Sequence, residues 1–314
     1  MTETDNNRLA TGSYPAMVTT FHDDGAIDRD GIDRLTDHCI EAGAAGIFAC
    51  GLSAEVLHMD GDEVLQLAEQ IINRAAGRLP IIMSAISAEP IEEQSALVRR
   101  MHDLGADAIA ITVCQLAAED EHDDVWIERA ETLLKLIPAD IRLAIYECPL
   151  PYHRLLSEQT IRWAAESGRF DFLKDTSCCA DTIRTRQKII QDSPLQLFNA
   201  NTATLLSSLK NGTDGFCGIG ANYMPELYTW LCNNYASEPE LAARLHRFLE
   251  STVEITEDST YPATAKHYLR EQGFAIGGFC RKVPSGPTAD SRTRLAEMRD
   301  QERNWLDETS GLSA

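Results

Sequence analysis

The chain has 314 residues, 44% of them hydrophobic and 25% charged, which suits a soluble globular protein with one large α/β core or two smaller ones. Its 28 lysines and arginines against 49 aspartates and glutamates give a formal net charge of −21, a surface that repels nucleic acid and anionic membranes. No Lys/Arg cluster overrides that charge and no apolar run approaches the ~18 residues needed to cross a bilayer, so neither nucleic acid nor membrane is expected as a partner. After a polar tail, 1–13, residues 14–20 (YPAMVTT) read as a first strand. Asp28 caps a helix to about residue 42, with Gly43 as its stop. A second strand, 45–49, runs into CGLSAE, and a helix over 61–76 follows with Leu65, Ala68, Ile71 and Ile72 on its apolar stripe. Residues 80–84 (PIIMS) form a strand, 91–104 a helix, 108–113 (AIAITV) a strand and 124–137 a helix. The run 141–146 (IRLAIY) ends on Tyr146, a helix from Ser157 stops at Gly168, and 170–174 (FDFLK) ends on Lys174. A helix over 182–190, a strand over 195–198, a helix over 202–209 and a short strand over 215–217 complete eight alternations.

Eight short apolar strands alternating with amphipathic helices point to a (β/α)8 TIM barrel. An open doubly wound sheet is the alternative, although no GxGxxG follows the first strand to support one. From about residue 225 the pattern is helical only, over 226–235, 241–255, 264–272 and 289–306. The expected organisation is a tail (1–13), a barrel (14–224) and a C-terminal helical region (225–314), with no low-complexity linker between them. Residues 1–13 lack the apolar core of a secretory signal. Nine cysteines, an odd number without CxxC spacing, suggest neither a disulfide framework nor a zinc site, and a reducing cytoplasm fits. Adjacent Cys178 and Cys179 are geometrically poor disulfide partners and are expected as buried thiols.

The unit 141–179 carries the chemistry. Its βαβ pattern brings two parallel strands to one sheet edge, so Tyr146 and Lys174 end side by side where α/β folds place their sites. A lysine closing an apolar strand has two readings. Its long stem snorkels to water, or burial lowers its pKa and leaves a free amine able to attack a ketone as a Schiff-base nucleophile, with Tyr146 shuttling protons.

Four local motifs resemble the dihydrodipicolinate synthase/N-acetylneuraminate lyase family of Schiff-base aldolases, over nearly the whole length. The family's G-T-T-G-E appears as Gly51-Leu52-Ser53-Ala54-Glu55, and its Y-N-x-P as Tyr146-Glu147-Cys148-Pro149. Its K-D-x-S-G appears as Lys174-Asp175-Thr176-Ser177-Cys178, and its G-x-x-S-x-x-A-N spans Gly215 to Asn222. The resemblance implies an imine between Lys174 and a 2-oxo acid, usually pyruvate, with Tyr146 as proton donor and acceptor. It further implies that Ser53 holds the substrate carboxylate and that the backbone carbonyl of Cys217 faces the keto acid. A homo-oligomer, tetramer or dimer, is implied too, and imine chemistry of this type needs neither metal nor cofactor.

Departures from the family bear on the substrate. Leu52 replaces a relay threonine, Gln115 stands where a neighbouring subunit contributes a relay tyrosine, and Pro151 stands where an arginine grips the second carboxylate. A hydroxyl relay cannot run through leucine, and proline cannot pair with a carboxylate, so lysine-biosynthetic condensation is disfavoured. The loop 147–154 is the candidate for second-substrate selection through Tyr152, His153 or Arg154, and each of these reads equally well as a structural loop residue. Thr176 and Asp175 could position lysine or substrate, though Asp175 could simply cap the next helix. His58 reads best as a surface histidine, and Cys50, Cys114, Cys148 and Cys217 could give the pocket a thiol-lined wall. The expected activity is retro-aldol release of pyruvate. Alternatives are dehydration or hydration-aldol chemistry on a 2-keto-3-deoxy sugar acid or an unsaturated pyruvate, and non-catalytic keto-acid sensing.

Overall fold

In the computed structural model, which describes residues 8–311, short apolar runs become strands and the amphipathic runs between them become helices. Residues 1–7 of the expected tail, and 312–314, lie outside the described residues. The first half runs β1 (Gly12–Ser13), α1 (Arg29–Glu41), β2 (Ile47–Ala49), α2 (Gly61–Ala75), β3 (Ile81–Ser84), α3 (Ile91–Asp103), β4 (Ala108–Thr112), α4 (Val113–Leu116) and α5 (Asp123–Leu136). Next come β5 (Leu143–Tyr146), α6 (Glu158–Ser167), β6 (Phe170–Asp175), α7 (Ala180–Ile190), β7 (Gln196–Asn199), α8 (Leu205–Lys210) and β8 (Gly215–Phe216). Helices α9 (Pro225–Asn234), α10 (Pro239–Ser251), α11 (Val253–Thr256), α12 (Ala263–Glu271) and α13 (Ala289–Ser310) follow. Asp28 caps α1 as the sequence suggests, taking the Gly31 amide at 2.9 Å, and the structure adds a reciprocal capping box of Asp60 and Glu63 at α2. Among the described residues no helix is long and apolar enough to cross a membrane.

The strands are all parallel, in the order β1-β8-β7-β6-β5-β4-β3-β2. The ring closes where the Ala45 amide donates to the Ser13 carbonyl, Phe48 to Pro15, and Met17 to Phe48. A cyclic order without reversal is a barrel, and it rules out the doubly wound sheet. The first strand departs from expectation. Its ladder with β8 lies at Gly12–Ser13, ahead of 14–20, and it meets β2 outside the ladder through an Ala16–Phe48 bridge. Pro15, which has no N–H to donate, interrupts the run between these two contacts. A Cβ on Gly215 would lie 1.9 Å from the Gly12 carbonyl oxygen, so this close pairing requires glycine. Strand β4 stops at Thr112, one residue early, because the Gln115 side chain takes the Thr112 amide at 2.9 Å and turns the chain into α4. The helix expected over 241–255 divides into α10 and α11.

Aromatic rings fill the barrel. Phe172 and Phe198 stack at 4.1 Å, with Tyr14 edge-on to both and Phe48 on the other side of Phe172. They form the floor beneath the carboxyl ends of the strands, a packed core and not a pore. The C-terminal helices close over the β1 side, where α9 packs on β1 and α13 packs on α9 and α12. One buried ion pair pins them to the barrel mouth. Lys266 on α12 donates to the Glu55 carboxylate and, at 2.8 Å, to the Phe279 carbonyl. Glu55 also accepts from the Lys282 amide at 2.8 Å and the Cys280 thiol at 3.3 Å.

Lys266→Ala leaves a carboxylate buried without its counter-charge and is expected to cost ~3–5 kcal/mol in urea unfolding. Arg294→Ala, which breaks a solvent-exposed pair with Glu254, is expected to stay within ~1 kcal/mol of the unaltered protein.

Candidate active site

Lys174 sits on β6 in register with Tyr146 of β5 and Phe198 of β7. Its neighbour two residues back, Phe172, belongs to the barrel interior, and strand alternation turns Lys174 the same way. The side chain does not snorkel. The residue is 5% exposed, with Nζ 4.1 Å from the Phe48 ring centroid and 4.6 Å from that of Tyr146. Among the described residues no carboxylate lies within ion-pair reach of it. Burial therefore pulls its pKa below the ordinary 10.5, although the two ring faces favour an ammonium and the nearby Cys217 and Cys148 thiols push the other way.

Tyr146, 4% exposed, is pushed well above the ordinary 10 by the same burial, so its phenol keeps its proton at neutral pH. A buried amine whose pKa is lowered, beside a buried protonated phenol, is a nucleophile with an acid at hand. Cys217, expected as a backbone contact to substrate, brings its thiol against the lysine amine, and burial raises that thiol to about 11.

Both strand ends are held from behind. Arg186 of α7, 2% exposed, forks onto Glu147 at 2.7 and 3.0 Å and also pairs with Asp175. Glu147 follows Tyr146 directly and Asp175 follows Lys174 directly. Glu147 also accepts the amides of Leu156 at 2.8 Å and Thr176 at 3.0 Å. Burial pushes the Glu147 carboxyl up, and Arg186 opposes it. Asp175 is thus a clamp residue and does not cap α7, whose N-cap is Cys179.

The remaining candidates separate into those the structure gathers and those it does not. Ser53 lies in a short 3-10 turn, Leu52–Ala54, with its hydroxyl against that of Tyr261. The Tyr261 hydroxyl accepts from Asn222 Nδ2 at 3.1 Å. Thr176 serves the clamp, donating to the Glu147 carbonyl at 2.7 Å, and His153 Nε2 meets its hydroxyl at 2.8 Å. Gln115 is used locally, accepting from the Thr112 amide and donating to the Ala85 carbonyl at 3.1 Å. Arg154 turns away to the Ala118 and Glu121 carbonyls and Asp123, and the Tyr152 hydroxyl lies on the Cys114 and Ala117 carbonyls. His58 is exposed, as expected.

Cys114, Cys148 and Cys217 do face the interior, and the thiols of Cys114 in α4 and Cys148 in the loop after β5 touch each other. Cys50 instead points outward to α2, near the Val64 carbonyl. Cys178 and Cys179 are exposed and not buried. They lie beyond the turn that Asp175 Oδ1 makes with the Ser177 amide, and Cys178 adopts φ 54° where the family motif has glycine.

Four contributors escaped sequence reasoning. Arg186 interrupts the buried stripe of α7 formed with Ile183 and Ile190, a signal the sequence did offer. Tyr261 and Glu55–Lys266 join segments more than 200 residues apart, and Asn222 was visible only as the end of a motif.

A lysine keeps the charge but lacks the planar fork that grips Glu147 through two nitrogens while also reaching Asp175 and the Leu156 carbonyl. Arg186→Lys is therefore expected to slow borohydride trapping of a keto acid on Lys174 at least about tenfold while circular dichroism still shows a folded barrel.

The Dihydrodipicolinate synthetase family profile matches residues 9–300. A 4-hydroxy-tetrahydrodipicolinate synthase from Laribacter hongkongensis is 28% identical over 283 residues, 88% of this chain and 91% of its own. Among solved structures, the 4-hydroxy-tetrahydrodipicolinate synthase of Methylacidiphilum fumariolicum SolV superposes with a TM-score of 0.85 at 18% identity, covering 96% of this chain and 99% of that one. A prophage protein of the dihydrodipicolinic acid synthase family from E. coli K12, solved in complex with pyruvate, gives 0.84 at 19% identity over 94% and 99% of the two chains. With a profile match over nearly its whole length, the chain belongs to the dihydrodipicolinate synthetase family and is a lyase of the class I aldolase type.

Proposed function

We propose that this enzyme makes or breaks a carbon–carbon bond of a 2-oxo acid through an imine on Lys174, with pyruvate as the keto product of cleavage. The carrying observation is the buried amine, without an acidic partner, 4.6 Å from the ring of a protonated tyrosine. The amine adds to the C2 ketone, and Tyr146 donates the proton with which the carbinolamine oxygen leaves as water. The iminium so formed is the electron sink and favours the tyrosinate beside it. In cleavage, Tyr146 takes the proton of the C4 hydroxyl, the C3–C4 bond breaks towards the iminium, and an aldehyde departs from an enamine. The enamine takes a proton at C3, and water releases pyruvate and the free lysine.

Ser53 is assigned to the substrate carboxylate. Its hydroxyl stands beside Tyr261, whose oxygen already accepts from Asn222, so the tyrosine proton is free to turn to Ser53 and leave the serine proton for the carboxylate. Thr176 and His153 are assigned to holding the loop, Cys217 to the wall beside the amine, and Gln115 and Leu52 to the distal side of the site. Dehydration is the second reading. It shares the imine, and the protonated Tyr146 favours it because a phenol can deliver a proton to a departing hydroxyl. Pyruvate plus aldehyde against loss of water with the carbon chain intact separates the two. Homo-oligomeric assembly, tetramer or dimer, belongs to the same proposal on family grounds, and a monomeric family variant is also known in structure. A cytoplasmic setting is supported by nine free cysteines.

Borohydride trapping with pyruvate, read by peptide mass, tests the imine: an adduct on Lys174 is expected, and none would overturn the reading. The trapping rate is expected to rise with pH as the amine deprotonates and to level off below the pH that an ordinary lysine, pKa 10.5, would require. Tyr146→Phe is expected to retain the adduct while slowing turnover about 10²–10⁴-fold, in a stopped assay of pyruvate release.

A further inference from the structure

A cavity of 690 Å³ opens at the barrel mouth on the Tyr146 side, a size that suits the distal half of a small substrate. It adjoins the imine site through covalent and packing neighbours. Leu52 precedes Ser53, Thr112 is in register with Tyr146, and Leu52, Ile86 and Tyr152 pack on the interior cluster that holds Tyr146 and Cys148. Among the described residues no Asp, Glu, Lys, Arg or His lines it.

Its four polar lining residues are already engaged within the chain. Gln115 bonds the Thr112 amide and the Ala85 carbonyl, and the Thr112 hydroxyl donates to Gln115. The Tyr152 hydroxyl is held between two carbonyls, and Ser87 Oγ accepts the Glu89 amide at 3.1 Å. The nearby basic side chains are occupied too: Arg154 on Asp123 and two carbonyls, and His153 on Thr176. A second carboxylate or a polyol tail placed here would lose its water for few partners, since among the polar lining side chains only the Ser87 O–H and one Gln115 N–H are not already spent. An apolar tail would gain from the same transfer.

Resting on the imine reading above, we infer that the substrate's distal half is apolar, an alkyl or aryl aldehyde in the cleaved form, seated between Leu52, Ile86, Cys114, Leu150, Pro151 and Tyr152. The aldehyde carbon lies towards Tyr146, which exchanges the proton of its oxygen, and the hydrocarbon part fills the cavity. This substrate class sets the enzyme apart from one acting on a sugar acid.

The test is condensation of pyruvate with benzaldehyde, hexanal, D-glyceraldehyde and succinic semialdehyde by the full-length enzyme, with products measured by mass spectrometry in hydrated and dehydrated form. The expected result is a kcat/KM for the two apolar aldehydes about 100-fold above the two polar ones. Leu150→Arg, a substitution at a half-exposed rim residue, is expected to shift the benzaldehyde to succinic semialdehyde ratio at least about tenfold towards the anion. Leu57→Arg, at another exposed rim position, is expected to shift it the same way. Preference for the polar aldehydes, or a ratio unmoved by both substitutions, would overturn the inference. Pyruvate trapping on the same preparation separates the failures. An adduct without apolar preference sinks only this inference, and no adduct sinks the parent reading.

Discussion

Arg186 holds the site together. One guanidinium, almost wholly buried, binds the two carboxylates that directly follow Tyr146 and Lys174 on adjacent strands. Removing three charges from water is costly, and the arrangement stands because every carboxylate oxygen is hydrogen-bonded. Glu147 takes two backbone amides besides the guanidinium, Asp175 takes the Ser177 amide and hydroxyl, and Arg186 also donates to the Leu156 carbonyl at 2.6 Å. With its acids thus held behind the strands by one guanidinium and by backbone amides, the clamp leaves the interior face to the lysine and the tyrosine. The acids that could have kept Lys174 protonated are turned away from it and committed to arginine. Separating anchoring charge from reactive charge is what lets burial lower the pKa of an amine at a strand end.

The rest of the molecule supports the same division. Below, the stacked Phe172 and Phe198 with Tyr14 and Phe48 exclude water and present rings to the amine. Above, Glu55 and Lys266 fasten the turn carrying Ser53 to the C-terminal helices. The helical region is therefore part of the site, since α12 supplies Lys266 and the segment before it supplies Tyr261 beside Ser53. On the open side the loop after β5 is fixed by Arg154 and Tyr152, which spend their polar groups on the α4–α5 turn and leave an apolar wall.

The sequence revealed what depends on local pattern. Short apolar runs and period-3.6 stripes located the strands and helices, and the end of an apolar strand located Lys174 beside Tyr146. It failed at β1, where a proline splits the pairing between two neighbours, and at 113, where Gln115 diverts the strand into a helical turn. Adjacent Cys178 and Cys179 looked like interior residues, and only the turn geometry after Asp175 puts them at the surface. Roles for Tyr152, His153 and Arg154 could not be apportioned, because their partners come from other loops. Tyr261 and Lys266 meet residues more than 200 positions away, a distance that no periodicity encodes. Arg186 is the case where more could have been read, since an arginine on a buried helix stripe implies acidic partners.

A crystal structure of the protein soaked with pyruvate and left unreduced tests the central claim most directly. The account predicts continuous density from Lys174 Nζ to C2 of the keto acid, the carboxylate on Ser53, the methyl carbon towards the apolar cavity, and Arg186 unmoved on Glu147 and Asp175. Pyruvate bound without a covalent link, or bound away from Lys174 with the amine paired to a carboxylate, would contradict it.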